Sequence, residues 1–431
     1  MKRRALLRLA GAAGVWAGQL GAGRAATGAK PRVVIVGAGW GGLAAASALT
    51  RDSETFDVRV FDREREFRSL PLANAWLVGR TPLRLPPLDL ATLARRQGWR
   101  FDAAPVQAID RARREVQAGG ERIGYDALVL ATGAVGDPAA WFGDDARAAS
   151  EARTRFPAGF EVGELETCRQ RLEAFAEVGG GTLLMTVPPA PYRCPPAPYE
   201  RAALIGWWIK TRRLKAKLIV LDAGGGMPRF NRLFGERYQA QIEHRLHTPV
   251  RRVDPFRKTV TTDDGEERFD HALLLPTMHA GALVREAGLL GRDAQGAATR
   301  WAAVDAGTLR SPHDERVWIV GDAMDNVSPL FGAYPKTAHI AADLGAAAAA
   351  QIGAALHGAR DAAPAALPRS LCHVWLDAEP AEQLILDASF RRRGDGLIVQ
   401  SVRQTDNPQP RDEDLQWARE LMAQRLGVSL G

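Results

Sequence analysis

The stretch VVIVGAGWGGLAAA, Val33 to Ala46, constrains the fold more than any other part of the chain. Four β-branched residues read as a buried strand, the glycines as a tight turn, and the small residues after them as the start of a helix. Gly37, Gly39 and Gly42 satisfy G-x-G-x-x-G. The first glycine permits the turn, the second lets a pyrophosphate approach bare backbone, and the third lets helix and strand pack closely. The next strand, DVRVFD, ends at Asp62, twenty residues after Gly42, where an acid suits a ribose 2′-hydroxyl. Strand, turn, helix, strand and acid in register predict a dinucleotide site. A glycine-rich helix cap without a ligand would leave Asp62 unexplained.

The second half of the chain carries a different turn. Thr182 to Val187 predicts a strand, and VPPAPYRCPPAPYE, Val187 to Glu200, follows it. A nicotinamide-binding unit needs glycines here, so that phosphates can lie against a helix N-terminus. Five prolines stand between Val187 and Ala197 instead, with no glycine and with Cys194 among them. Proline has no N–H to offer a phosphate, and its ring blocks approach. This unit is therefore expected not to bind NAD, and a thiol stands where the nicotinamide would lie. The strand KLIVLD ends at Asp222 before three glycines, but it is the wrong strand for the phosphates and reads as fold ancestry.

Composition excludes some partners. The chain has 431 residues, more than one ordinary domain, with 46% hydrophobic and 25% charged residues, as in a globular soluble protein. Its formal charge of +7 is largely local. Lys2, Arg3, Arg4, Arg8 and Arg24 lie in the first 25 residues with no acid among them, and without those five the charge is +2. With no basic helix or aromatic-basic strand pair, nucleic acid is not expected as a partner. Residues 1–26 read as an export signal: a basic start, a weakly apolar Gly/Ala run from Leu9 to Ala22, and a small-residue cleavage site in GRAA. KRRALLR resembles a twin-arginine signal, so a periplasmic location by that route is expected. No later apolar stretch of about 18 residues is expected, and hence no membrane insertion after signal removal.

Two further segments select FAD for the first unit. YDALVLATGA, Tyr125 to Ala134, is a strand with a small-residue turn, and RVWIVGDAMD, Arg316 to Asp325, is a strand ending in Gly321-Asp322. Both resemble motifs of the two-dinucleotide flavoprotein superfamily. The fold class expected is thus α/β, with two Rossmann-like three-layer domains and a C-terminal extension. The FAD-binding domain is expected at 31–145 and 286–360, the second domain at 146–285, and the extension at 361–431.

Three cysteines remain. Cys168 lies in a charged amphipathic helix and reads as a free, half-buried small residue. Cys194 and Cys372 lie 178 residues apart. In an exported protein they suit either a staple between the second domain and the extension or a catalytic pair beside a flavin.

PYRCPPAPYERA, YPKTAHIAADLGAAAAA and the extension around Cys372 resemble the flavoprotein subunit of flavocytochrome c sulfide dehydrogenase, related to sulfide:quinone oxidoreductases. The resemblance runs through nearly the whole mature chain. It implies a redox-active Cys194–Cys372 disulfide, with Glu200 assisting proton transfer. It also implies FAD contacts at Gly37, Gly39, Trp40, Gly42, Asp62, Val106, Ala131, Thr132, Gly133, Gly321, Asp322 and Lys336. Lys336 would bring positive charge near the flavin pyrimidine, although Ala338 replaces a glycine of the motif. The implied chemistry is attack of hydrosulfide on the disulfide, with electrons passing to FAD and then to a c-type cytochrome partner.

Two departures qualify the resemblance. Relatives often bind FAD through a cysteine soon after the ribose acid; Glu66 to Arg80 has none, so FAD is expected to be non-covalent. There is no C-x-x-C-H, so any haem belongs to another chain, and no metal site is expected. A sulfide:quinone oxidoreductase-like enzyme fits less well, because the tail RDEDLQWARELMAQRLGVSLG is charged and short. An FAD subunit that only docks a cytochrome is the non-enzymatic alternative. An NADH-dependent disulfide reductase lacks its C-x₄-C.

Overall fold

The computed structural model describes residues 29–51, 55–81, 85–359 and 363–429. The export signal read at 1–26 lies outside them. The described chain begins with β1 (Arg32–Val36), α1 (Trp40–Thr50), β2 (Asp57–Asp62), β3 (Arg100–Ala103) and β4 (Ala127–Leu130). The central segment adds α2 (Leu165–Glu177), β5 (Gly180–Val187), α3 (Ala197–Thr211), β6 (Lys215–Asp222), β7 (Ile242–Arg245) and β8 (His271–Leu273). Then come β9 (Arg310–Ser311), β10 (Asp314–Ile319) and α4 (Ala338–Leu356). The chain closes with β11 (Arg369–Ala378), β12 (Ala381–Arg392), β13 (Ile398–Pro408) and α5 (Glu413–Leu426).

Two sheets are built on parallel pairing. The first runs β9-β10-β4-β1-β2-β3 and draws strands from both ends of a long insertion; only β9 is antiparallel. The second runs β7-β6-β5-β8, all parallel. Val33, Val34 and Ile35 of β1 are fully buried, as are Leu128 to Leu130 of β4. A parallel sheet covered on both faces demands such continuous apolar strands. This is the α/β architecture with Rossmann-like units that the sequence predicts.

Helix α4 corrects one expectation. Ala338–Leu356 is a 19-residue stretch long and apolar enough to cross a membrane by length and composition. It is a core helix instead, packed along α1. A Cβ on Gly345 would collide with the carbonyl of Gly41, so only a bare backbone lets the two helices meet this closely. Thr337 caps α4, its hydroxyl accepting from Ile340 N at 3.3 Å.

The extension forms a third, antiparallel sheet, β11-β12-β13, followed by α5. Strand β11 lies along α3, and α5 packs on α1 and α4. Polar contacts fix the docking. Tyr238 donates to Asp377 at 2.5 Å, and Arg237 pairs with Asp377 at 3.2 Å and Glu382 at 2.8 Å. Gln97 donates to the Leu426 carbonyl at 2.7 Å.

Candidate active site

A cavity of about 1920 Å³ lies where these elements converge. On one wall stand Gly37, Gly39, Trp40 and Asp62, from the turn after β1 and the end of β2. A Cβ on Gly37 would strike the Ala131 carbonyl, and one on Gly42 would strike the carbonyl of Gly37. A Cβ on Gly39 meets nothing, so that backbone faces open space. Gly42 is the one fingerprint residue off the cavity wall, because its part is to let α1 press against the turn. Asp62 braces the same turn, accepting from Ala38 N at 2.6 Å and Glu64 N at 2.9 Å.

The other expected cofactor positions line the cavity too: Val106, the Ala131-Thr132-Gly133 turn, Gly321, Asp322 and Lys336. The Thr132 hydroxyl is buried without a hydrogen-bond partner in the protein. A buried orphan hydroxyl beside a bare glycine turn fits a polar dinucleotide, because such a group costs about 1–3 kcal/mol unless something bonds it. The residues present therefore fit FAD. Lys336 is also held by the protein itself. Its ammonium donates to the carbonyls of Asp322 at 2.7 Å and Met324 at 3.1 Å and lies 3.7 Å from the Trp301 ring centre. Burial lowers it to about 8, against the pull of Asp322 and Asp325.

The proline loop sets Cys194 on the same cavity. Cys194 adopts a left-handed backbone (φ 51), sparsely populated by residues with a side chain. Its N–H donates to the Lys336 carbonyl at 2.8 Å, and its carbonyl accepts from Ala197 N at 2.8 Å. Around the start of α3, Ala197 N and Glu200 N are already bonded, and Pro198 has no N–H. Little is left to seat a phosphate. Asp222 is spent as well, accepting from Tyr199 at 2.9 Å and Gly224 N at 2.8 Å and lying 3.0 Å from His244 Nε2.

Cys372 reaches the cavity from β11. Cys168, Cys194 and Cys372 are all free thiols in this structure, so the expected Cys194–Cys372 bond is not formed. Cys194 and Cys372 line one cavity, from a loop and a strand 178 residues apart. Burial raises the Cys194 thiol well above its ordinary value, and the charges of Cys372 and Glu200 add to the effect. Burial pushes Cys372 up to about 11; Ser370, 3.6 Å away, acts the other way. Cys168 differs from expectation. It is wholly buried rather than half-buried, because α2 turns it inward against Gly159 and Arg201.

Glu200 sits in the first turn of α3, on the cavity. It accepts from Trp375 N of β11 at 2.8 Å and from Asn74 Nδ2 at 2.5 Å. Burial nevertheless pushes it up to about 7, because removal from water outweighs those two donors. His373, beside Cys372, lies 3.3 Å from Gln383 Oε1 through its Nδ1.

Three residues at the site escaped the sequence reading. Arg193 ties the loop to the first sheet, donating to Ala134 O at 2.6 Å, Phe160 O at 2.8 Å and Asp322 Oδ2 at 3.3 Å. Arg201 is buried, donating to Asn74 Oδ1 at 2.8 Å and to the carbonyls of Ala158 and Gly159. Asn74 links Arg201 to Glu200 and also donates to Ala197 O at 3.0 Å. An arginine directly before the apolar run AALIGWW of α3 was a legible sign of a buried cation; nothing in LANAWL marks Asn74.

Comparison with known proteins agrees with this geometry. Residues 166–276 match the family profile "Sulfide dehydrogenase [flavocytochrome c] flavoprotein chain, central". Residues 31–181 match that of the pyridine nucleotide-disulphide oxidoreductases. Among solved structures, the sulfide:quinone oxidoreductase of the hyperthermophilic bacterium Aquifex aeolicus is similar at a TM-score of 0.74 and 18% identity, over 93% of this chain and 92% of that one. Putidaredoxin reductase, from its covalent complex with putidaredoxin, gives 0.61 and 20%, over 93% and 95%. The NAD-dependent persulfide reductase of A. fulgidus gives 0.60 and 15%, over 93% and 79%. At these identities the structural likenesses show the fold; the two profiles support an FAD-dependent oxidoreductase acting on sulfur. With a glycine fingerprint at Gly37 and a cysteine loop at Cys194, the chain is similar over its central residues 166–276 to the flavoprotein chain of flavocytochrome c sulfide dehydrogenase.

Proposed function

We propose that this chain is an FAD-dependent sulfide dehydrogenase that passes electrons to a c-type cytochrome on another chain. The observation that carries the reading is the convergence of Cys194, Cys372 and Glu200 on the cavity that holds the glycine turn. In the oxidised enzyme Cys194 and Cys372 form a disulfide. Glu200, poised near neutrality, takes the proton of incoming hydrogen sulfide. Hydrosulfide attacks one sulfur of the disulfide, giving a persulfide on that cysteine and a thiolate on the other. Loss of two electrons from that pair restores the disulfide and leaves one sulfur atom and a proton. FAD, when bound, supplies the two-electron acceptor beside the pair. Gly37, Gly39 and Asp62 would hold its dinucleotide part, while Gly321, Asp322 and Thr132 would hold the chain toward the flavin. FAD is non-covalent, since no cysteine stands in Glu66 to Arg80. The periplasm, reached by the twin-arginine route, supplies the oxidising setting and the cytochrome. The occupied start of α3 supports sulfide rather than NADH as reductant.

Anaerobic sulfide is the test. Bleaching of the flavin by sulfide but not by NADH, with reoxidation by a c-type cytochrome, is the expected result. A flavin that ignores sulfide leaves only the docking role, and overturns the reading.

A further inference from the structure

Glu200 has a second carboxyl as its neighbour, and one tryptophan serves both. The backbone N–H of Trp375 donates to Glu200 Oε1 at 2.8 Å, while its indole Nε1 donates to Asp414 Oδ2 at 3.1 Å. Asp414 opens α5, is buried, and lines the same cavity as Cys372 and Glu200. Its other donor is the N–H of Leu415 at 2.9 Å. An aspartate in the first turn of a helix is ordinarily a solvated cap; this one is turned inward, onto a tryptophan side chain.

We propose that Asp414 is a positioning residue for Glu200: it holds Trp375 in place by accepting the indole N–H, and the two carboxyls act as a coupled pair that retains a proton on the cavity wall. This rests on the reading of Glu200 as the acid-base group. The surroundings support the coupling. Facing Glu200 are Asn74, Arg201, Cys194, Cys372 and the Trp375 amide, of which Arg201 alone is cationic. Facing Asp414 are the Trp375 indole and His373, with Arg80 stacked on the Trp375 ring at 4.8 Å. Burial raises both carboxyls, and the Asp414 charge raises Glu200 further. Two interacting carboxyls release their protons in steps that belong to the pair.

Infrared difference spectroscopy of the sulfide-free holoenzyme, titrated with acid and base, reads the protonated carboxyl bands directly. Glu200→Gln identifies the Glu200 band. Asp414→Asn keeps an acceptor for the indole but removes the like charge, and the Glu200 midpoint is expected to fall by about one pH unit. Trp375→Phe removes the indole donor while leaving the backbone donor, so the Asp414 step is expected to rise and the Glu200 step to fall. The pH midpoint of sulfide-driven reduction should move with the Glu200 band in both variants. An unmoved Glu200 midpoint in both variants, with native near-ultraviolet dichroism retained, overturns the proposal. A shifted band in a protein that does not respond to sulfide upholds the coupling and overturns the sulfide reading alone.

Discussion

Cys194 N donates to the Lys336 carbonyl at 2.8 Å, so the cysteine loop of the second sheet is tied by backbone to the residue before the cap of α4. The thiol's position is thus set from both sides. Arg193 and Lys336 form an isolated parallel bridge, and Arg193 reaches across to Asp322. A loop rich in proline loses little further freedom on being held so.

Replacing the sulfur tests the chemistry without disturbing that frame. Cys194→Ser is expected to abolish sulfide-driven bleaching while FAD stays bound and dithionite still reduces it, because a serine oxygen cannot form the bond under attack. Undiminished sulfide turnover in this variant, followed by stopped-flow absorbance, would show that the loop has another purpose.

Thiol labelling reads the pairing. In the oxidised native enzyme no cysteine is expected to react with iodoacetamide, since Cys168 is wholly buried and the other two are bonded to each other. After unfolding without reductant, only Cys168 should be labelled on peptide mapping. Label on Cys194 or Cys372 in that unfolded sample contradicts the disulfide.

The pH dependence follows from the raised carboxyl of Glu200. Below about 7 it holds its proton and cannot accept another, so the proton-transfer step should quicken as pH rises through that region. The same shift acts on stability with the opposite sense. The folded state binds the proton more tightly than the unfolded chain, so stability falls as pH rises from the ordinary carboxyl range to about 7. Glu200→Gln should flatten that part of the rate profile and remove that part of the stability slope, measured by urea unfolding across pH.

Arg201 is expected to matter for the fold. Arg201→Met removes the donors to Ala158 O, Gly159 O and Asn74 and leaves those acceptors buried. A loss of about 2–4 kcal/mol is expected, visible as a lower denaturant midpoint at unchanged slope. Arg201→Lys should restore only part, since one ammonium cannot span three acceptors as the planar guanidinium does.

Retention of the cofactor is the last test. Acid precipitation should release all yellow colour to the supernatant, as expected of FAD held only by contacts such as the Gly37 turn. Colour kept in the pellet argues for a covalent link. Gly42→Ala should weaken FAD retention without touching the cavity wall, because the new methyl displaces the Gly37 carbonyl and hence the turn.

Local chemistry made the frame legible. Glycine spacing, β-branched runs and Asp62 announced the first unit, because each answers to a nearby steric need. The central strand, expected from Thr182, begins at Gly180, and α3 begins at Ala197, inside the proline loop. Proline at 198 sits in the helix's first turn rather than before it. What the sequence could not disclose were contacts between segments far apart in the chain. Asn74 meets Glu200 across 126 residues, and Trp375 meets it across 175. No local pattern encodes such a meeting. The burial of Cys168 was missed for the same reason, since Gly159, against which it packs, lies outside its own helix.

The placement of Cys372 on the closing sheet orders events during biosynthesis. The nucleotide-type sheets are complete once Ile319 has been made, yet Cys194 has no partner thiol, and Glu200 no Trp375 amide, until β11 docks along α3. A polypeptide released before Arg369 would carry the glycine turn and Cys194 without Cys372. The cavity wall that brings Cys194, Glu200 and Cys372 together is thus assembled only after β11 has been made.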